Sequence, residues 1–173
     1  MGVYTLIESN NSILKEPTEK FNFDDPQIPP EQLAHQLAET MILNHGVGLA
    51  APQVGIPLSV FVVGNPNDRE TIMAMFNPNI VNTMGENTYQ EEGCLTFPGL
   101  YMKVKRPQQI RVRFTDMHGK TTTTKYTGMT ARAIQHEYDH LQGILFKSRA
   151  NRIHREQAMK KYKQLQRRIK KSA

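Results

Sequence analysis

The chain of 173 residues holds a single cysteine, Cys94. No disulfide can form within it, which fits a reducing, cytoplasmic compartment and leaves that thiol as packing or as chemistry. No apolar run is long enough to span a bilayer, so no membrane partner is expected. The first residues, MGVYTLIESNNSILKEP, have no basic segment followed by an apolar block, so no secretory signal is expected. Leu6 stands where the myristoylation pattern needs Ser or Thr. No internal repeat is present, and low complexity is confined to TTTT at 121–124. At 38% apolar and 22% charged residues, the composition is that of a soluble globular domain.

The formal charge of +6 is unevenly spread. Residues 147–173 hold 11 Lys or Arg and one acid, Glu156, whereas residues 1–146 are mildly acidic. A basic tail on an acidic body points to a localised contact with an anionic partner such as RNA, or to a solvated helix that touches nothing.

Residues 15–30, rich in Pro and Asp, read as an extended loop. A helix follows. Pro30 suits its first turn, Leu33, Ala34, Leu37, Ala38, Met41 and Ile42 form one stripe, and Asn44 to Gly46 stop it. SVFVV (59–63), MAMFNP (73–78) and QIRVRFTD (109–116) read as strands, and DMHGK turns the last into TTTTKY. A helix is predicted from Met129 to Gln142, with Gly143 ending it, and a last one from Asn151 to Lys170. The fold class is α+β: one domain of mixed or antiparallel sheets around a central helix, with an N-terminal helix and a basic C-terminal helix. Residues 1–148 make the catalytic part, and 149–173 a basic helical extension of the same domain.

The central helix carries IQHEYDHLQG. Residues i and i+4 share a helix face, so His136 and His140 can reach one ion, and Glu137 lies beside it as a base. A catalytic metal usually takes three protein ligands. The longer protease pattern HExxHxxGxxH finds Gly143 but ends on Phe146, which cannot ligate. The only acid downstream is Glu156, within the basic tail. The third ligand is therefore expected upstream, among His35, His45, His118 and Cys94. GVGLAA alone could be a dinucleotide-binding turn, but a helix precedes it where a strand is required.

Three stretches in order, GVGLAAPQ (46–53), EGCLT (92–96) and QHEYDHL (135–141), resemble the three motifs of the peptide deformylases. The likeness spans roughly residues 10–148. It implies hydrolysis of the formyl group from N-formylmethionyl nascent peptides by a monomeric enzyme. It implies Cys94, His136 and His140 as ligands of one divalent ion, Fe²⁺ natively, with Zn²⁺, Ni²⁺ or Co²⁺ as substitutes. A water activated by that ion would attack the formyl carbon, Glu137 would carry its proton, and the Gln53 amide and Leu95 backbone N–H would meet the developing oxyanion. Gly46, Val47 and Gly48 would let a peptide backbone lie close as an added strand. Ala133 and Ile134, with Val47 and Leu95, are candidates for the methionine pocket, Ile134 being equally fit for plain core. Glu92 and Arg106 would pair beneath the Cys94 loop, or be unrelated surface charges. Thr96 replaces the usual Ser, Phe97 a smaller aliphatic residue, and Tyr101 lies where the peptide would pass. In the family a basic C-terminal helix can dock at the ribosomal exit, and the tail is compatible with that. The competing readings are a zinc endopeptidase and a catalytically silent ribosome- or RNA-binding relative.

Overall fold

The computed structural model describes residues 2–172. Five strands form one antiparallel meander in chain order: β1 (Gly48–Ala50), β2 (Val60–Val63), β3 (Met73–Gly93), β4 (Tyr101–Thr115) and β5 (Thr121–Thr127). Helix α1 (Pro30–Leu43) precedes the sheet. After it come α2 (Gly128–Leu141), the short α3 (Phe146–Arg149) and α4 (Arg152–Ser172). The expectation of mixed or antiparallel sheets thus resolves into a single antiparallel sheet of five strands.

Helix α1 forms on its predicted stripe: Leu33, Leu37 and Met41 are fully buried against β1 and β2. Each such side chain contributes about 1.5–3 kcal/mol by leaving water. The helix stops as expected, but His45 takes the left-handed backbone position (φ 56°) and the Gly46 N–H closes the turn onto Met41 O at 2.9 Å. Gly46 is thereby left for another purpose.

Two strands are much longer than their apolar patterns. β3 runs 15 residues past Pro78, through the polar stretch ending at Gly93, and β4 begins at Tyr101. Alternation could not reveal this part, because most of 79–91 is exposed. The two strands form a long arm whose register shifts three times, after Phe76, Ile80 and Met84. Such irregularities sharpen local twist. Within β4 burial has period two except at exposed Gln108: Met102, Val104, Arg106, Ile110, Val112 and Phe114 point inward. At the β4–β5 turn, Asp116 Oδ1 accepts from the N–H groups of His118 and Lys120, both at 2.9 Å.

Helix α2 is the centre of the molecule, with nine of its fourteen residues buried. Ala131, Ile134 and Leu141 pack on Ala50, Phe61, Met75 and the inward face of β4. Gly143 ends it with φ 69°, and a Cβ there would collide with the Lys15 backbone. A third cluster, with Leu14, Leu100, Met102 and Phe146, is roofed by Ala158, Met159 and Tyr162 of α4. Met159 and Tyr162 therefore anchor the last helix to the body.

Candidate metal centre

Helix geometry brings His136 and His140 to one face of α2, and the loop following β3 lays Cys94 against them. The ligand atoms of these three side chains lie within 4.8 Å of one another, and Cys94 Sγ is 3.3 Å from His140 Nε2. One ion fits that spacing, and a thiolate with two imidazoles is a donor set suited to zinc and ferrous iron. His35, His45 and His118 are no part of this cluster. Phe146, the failed ligand position, instead stacks its ring 5.6 Å from that of His136.

Glu137 projects beside the ligands. Its Oε2 is buried without a hydrogen-bond partner. Burial pushes its carboxyl up to about 7, the Cys94 and Glu92 charges adding to the effect and the two imidazoles opposing it. A carboxyl so placed can exchange a proton near neutral pH. Cys94 is half-buried; desolvation opposes its ionisation, but His140 and His136 outweigh this by charge and hydrogen bonds and hold the thiol well below its ordinary range.

Beneath the ligands lies a charged lattice. Burial opposes ionisation of Glu92, but His136 and Arg106 overcome it and hold the carboxyl down at about 2. Its Oε2 meets His136 Nδ1 at 3.1 Å, which turns the other ring nitrogen toward Cys94. Arg106 donates to both Glu92 oxygens at 2.7 and 3.0 Å, and Arg132 Nη1 donates to Oε1 at 2.7 Å. Arg106 also donates to Asp139 at 2.9 Å, and Arg149 donates to the same carboxylate. The Glu92–Arg106 pair is thus a buried support of the metal helix and not two surface charges. Arg132, Asp139 and Arg149 were missed by sequence reasoning. Arg106 carried a signal: it takes an inward position in the alternating series of β4, where an unpaired cation cannot remain.

Gln53 is fixed from both ends. Its Oε1 accepts from Ala50 N at 2.8 Å, and its Nε2 donates to Thr96 Oγ1 at 3.0 Å and lies 3.5 Å from Cys94 Sγ. Thr96 thereby supplies the hydroxyl acceptor expected of Ser. The Leu95 N–H has no acceptor among the described residues.

A cavity of about 600 Å³ opens onto these groups. Gly46, Val47, Gly48, Ala133 and Leu95 line it, together with Leu6 and Met129, which the sequence did not mark. Ile134 does not: it is fully buried in the core beneath β1, so of its two readings the structure selects core. The glycines make room first for the site itself. A Cβ on Gly46 would come within 2.6 Å of Leu95 Cδ1, and one on Gly48 would strike the Glu137 carboxylate. Phe97 reaches the cavity but is mostly buried against Phe146, with Lys147 Nζ 4.5 Å from its ring centroid. Tyr101 stands exposed on the rim.

Comparison with known proteins agrees with this geometry. Residues 3–156 match the family described as Polypeptide deformylase. The chain is 43% identical over 157 residues to Peptide deformylase 1 of Bacillus cereus, covering 90% of this chain and 97% of that protein. It is 39% identical to the peptide deformylase of Aquifex aeolicus, covering 90% and 92%. Among solved structures, the Synechococcus elongatus peptide deformylase in complex with actinonin superposes with a TM-score of 0.84 at 35% identity, covering 91% of this chain and 86% of that one. The Plasmodium falciparum enzyme gives 0.86 at 28% identity, covering 96% and 97%.

Proposed function

The chain belongs to the polypeptide deformylase family, and we propose on that premise that Cys94, His136 and His140 hold its divalent ion and Glu137 moves the proton. The activity is the family's: metal-dependent hydrolysis of the formyl amide of N-formylmethionyl peptides, releasing formate and a free amino terminus. The observation that carries the residue assignment is the clustering of one thiol and two imidazoles at the wall of a cavity that Cys94, His136 and the unpartnered buried carboxylate of Glu137 line.

When bound, a divalent ion there acidifies a water molecule toward neutrality and polarises the formyl carbonyl. Glu137 accepts the proton of the attacking water and returns it to the leaving amine, a transfer its carboxyl, near 7, performs in both directions. Gln53 has one amide hydrogen committed to Thr96. Its other hydrogen, which faces Cys94 Sγ at 3.5 Å, turns with the Leu95 N–H to the formyl oxygen as charge develops on it. Gly46, Val47 and Gly48 take the peptide backbone, and Ala133 with Leu95 forms the wall met by the methionine side chain.

Fe²⁺ is the ion assigned, with Zn²⁺, Ni²⁺ and Co²⁺ as substitutes, since a soft thiolate with imidazoles accepts all four. Metal analysis of anaerobically purified protein, paired with activity, decides among them. The enzyme acts as a monomer in a bacterial-type cytosol, where a thiol engaged in metal binding stays reduced. Residues 149–173 serve as a basic extension of the same domain that docks at the ribosomal exit.

Formate release from formyl-Met-Ala-Ser tests the chemistry. Glu137→Gln is expected to lower kcat by roughly 10²- to 10⁴-fold while the protein keeps its metal. Unchanged turnover would overturn the assignment.

A further inference from the structure

Next to the catalytic cavity lies a second groove, of about 510 Å³, that the deformylation chemistry does not use. Its floor is the start of β4, Tyr101 to Lys103, and its far wall is α4. The two spaces adjoin: Glu91, Gly99 and Tyr101 line both. The wall is held close to this junction, because Leu165 of α4 packs so tightly on Gly99 that a Cβ there would come within 2.9 Å of it.

The groove's chemistry is distinctive. Lys103 reaches it from β4 and Lys161 from α4, both exposed, and neither has an ion-pair partner among the described residues. His154 lines the same groove, and its Nδ1 is buried with no hydrogen-bond partner. Tyr101 and Leu165 supply exposed apolar surface between these polar groups. An extended peptide meets such a surface well. Its carbon skeleton covers the apolar strip, and acidic side chains would pair with the two ammonium groups.

Accepting the deformylase reading above, we propose that this groove binds the part of the substrate peptide downstream of the residues held at the metal centre, and that Lys103 and Lys161 favour acidic side chains there. The occupant is the same chain that enters the cavity, since the shared residues set the two spaces side by side and a peptide leaving the first meets the second. Glu91 stands at the junction and disfavours an acid at that point, so the preference begins beyond it. The basic helix α4 then has a role for its body-facing side that is separate from its outward charges.

The test compares three formylated peptides: formyl-Met-Ala-Ser, and two of about nine residues, long enough when extended to span roughly 30 Å. One long peptide carries Asp and Glu in its second half, the other Lys. The expected result is equal hydrolysis of the tripeptide by wild type and the Lys103→Glu/Lys161→Glu variant. With wild type, kcat/KM for the acidic long peptide should exceed that for the basic one by about 3- to 10-fold, as two partly exposed ion pairs predict. The variant should invert the order. Equal kcat/KM for the two long peptides with wild type, or a preference that survives the double reversal, overturns the proposal. So does a variant whose only change is weaker co-sedimentation with ribosomes, which would give the lysines to nucleic acid. Failure of wild type to hydrolyse even the tripeptide would instead strike the deformylase reading, and this proposal with it.

Discussion

Glu92 is a buried carboxylate that receives two arginines and one histidine. Removing its charge leaves Arg106 with only Asp139 and Arg132 with only carbonyl and hydroxyl oxygens. Glu92→Gln is therefore expected to cost about 3–5 kcal/mol in urea denaturation at pH 7. It should also weaken metal binding by about 10- to 100-fold, because His136 loses the group that orients its ring. The pH dependence has a definite sign. The folded carboxyl titrates at about 2, below the ordinary 4.5, so its stabilisation is complete above the ordinary value and drains away as pH falls toward the folded one. The gap in stability between wild type and Glu92→Gln should narrow below pH 5 and nearly close at about 2. A gap independent of pH would show that Glu92 does not act through its charge.

Among the elements, β1 has a function out of proportion to its three residues. It is the sheet edge facing the cavity, and it pairs with β2 through Gly48–Val63, Leu49–Val62 and Ala50–Phe61. Leu49 and Ala50 anchor it in the core, while the bare Cα of Gly48 admits the Glu137 carboxylate. Gly48→Ala is expected to lower kcat by roughly 10²-fold through displacement of Glu137, with metal content unchanged. Turnover within twofold of wild type would mean that the carboxylate has room elsewhere. The motif stretch could be read as a close-approach segment from its glycines. That the partner approaching is Glu137, 89 positions later in the chain, follows only from how α2 lies across the sheet.

At the scale of the whole molecule, an ion held as proposed by Cys94, His136 and His140 would join the loop after β3 to the central helix, so metal binding and folding would be linked. Excess Zn²⁺ at about 100 times its Kd should add about 2.7 kcal/mol and raise Tm by roughly 5–10 °C, a shift that Cys94→Ser largely removes. An equal shift in Cys94→Ser would place the ion elsewhere. The outward face of α4 supplies the remaining prediction. Deleting residues 150–173 would also strip Ala158, Met159 and Tyr162 from the core, so charge reversal at exposed Lys163, Arg167 and Lys171 is the cleaner probe of ribosome docking. It should abolish salt-sensitive co-sedimentation and leave formyl-Met-Ala-Ser hydrolysis intact. Undiminished co-sedimentation would remove the tail from that role. None of the described helices is long and apolar enough to cross a membrane.

The sequence by itself determined the α+β class, the helices with apolar stripes, the half-buried strands and the i, i+4 histidine pair, because each is written in short-range periodicity. It also carried the three motifs by which the family is known. It could not determine the reach of β3 and β4, since an exposed arm leaves no alternation to read. By local pattern it left four candidates for the third ligand, and it left Ile134 between pocket and core. Tertiary structure set Cys94, and not His35, His45 or His118, beside the histidine pair and put Ile134 in the core, because such groupings are matters of distance between segments far apart in the chain. The same holds for the lattice of Glu92, Arg106, Arg132, Asp139 and Arg149: apart from Arg106, inward in the β4 series, each charge looks like surface in its own neighbourhood, and burial against the others makes it a support for the central helix.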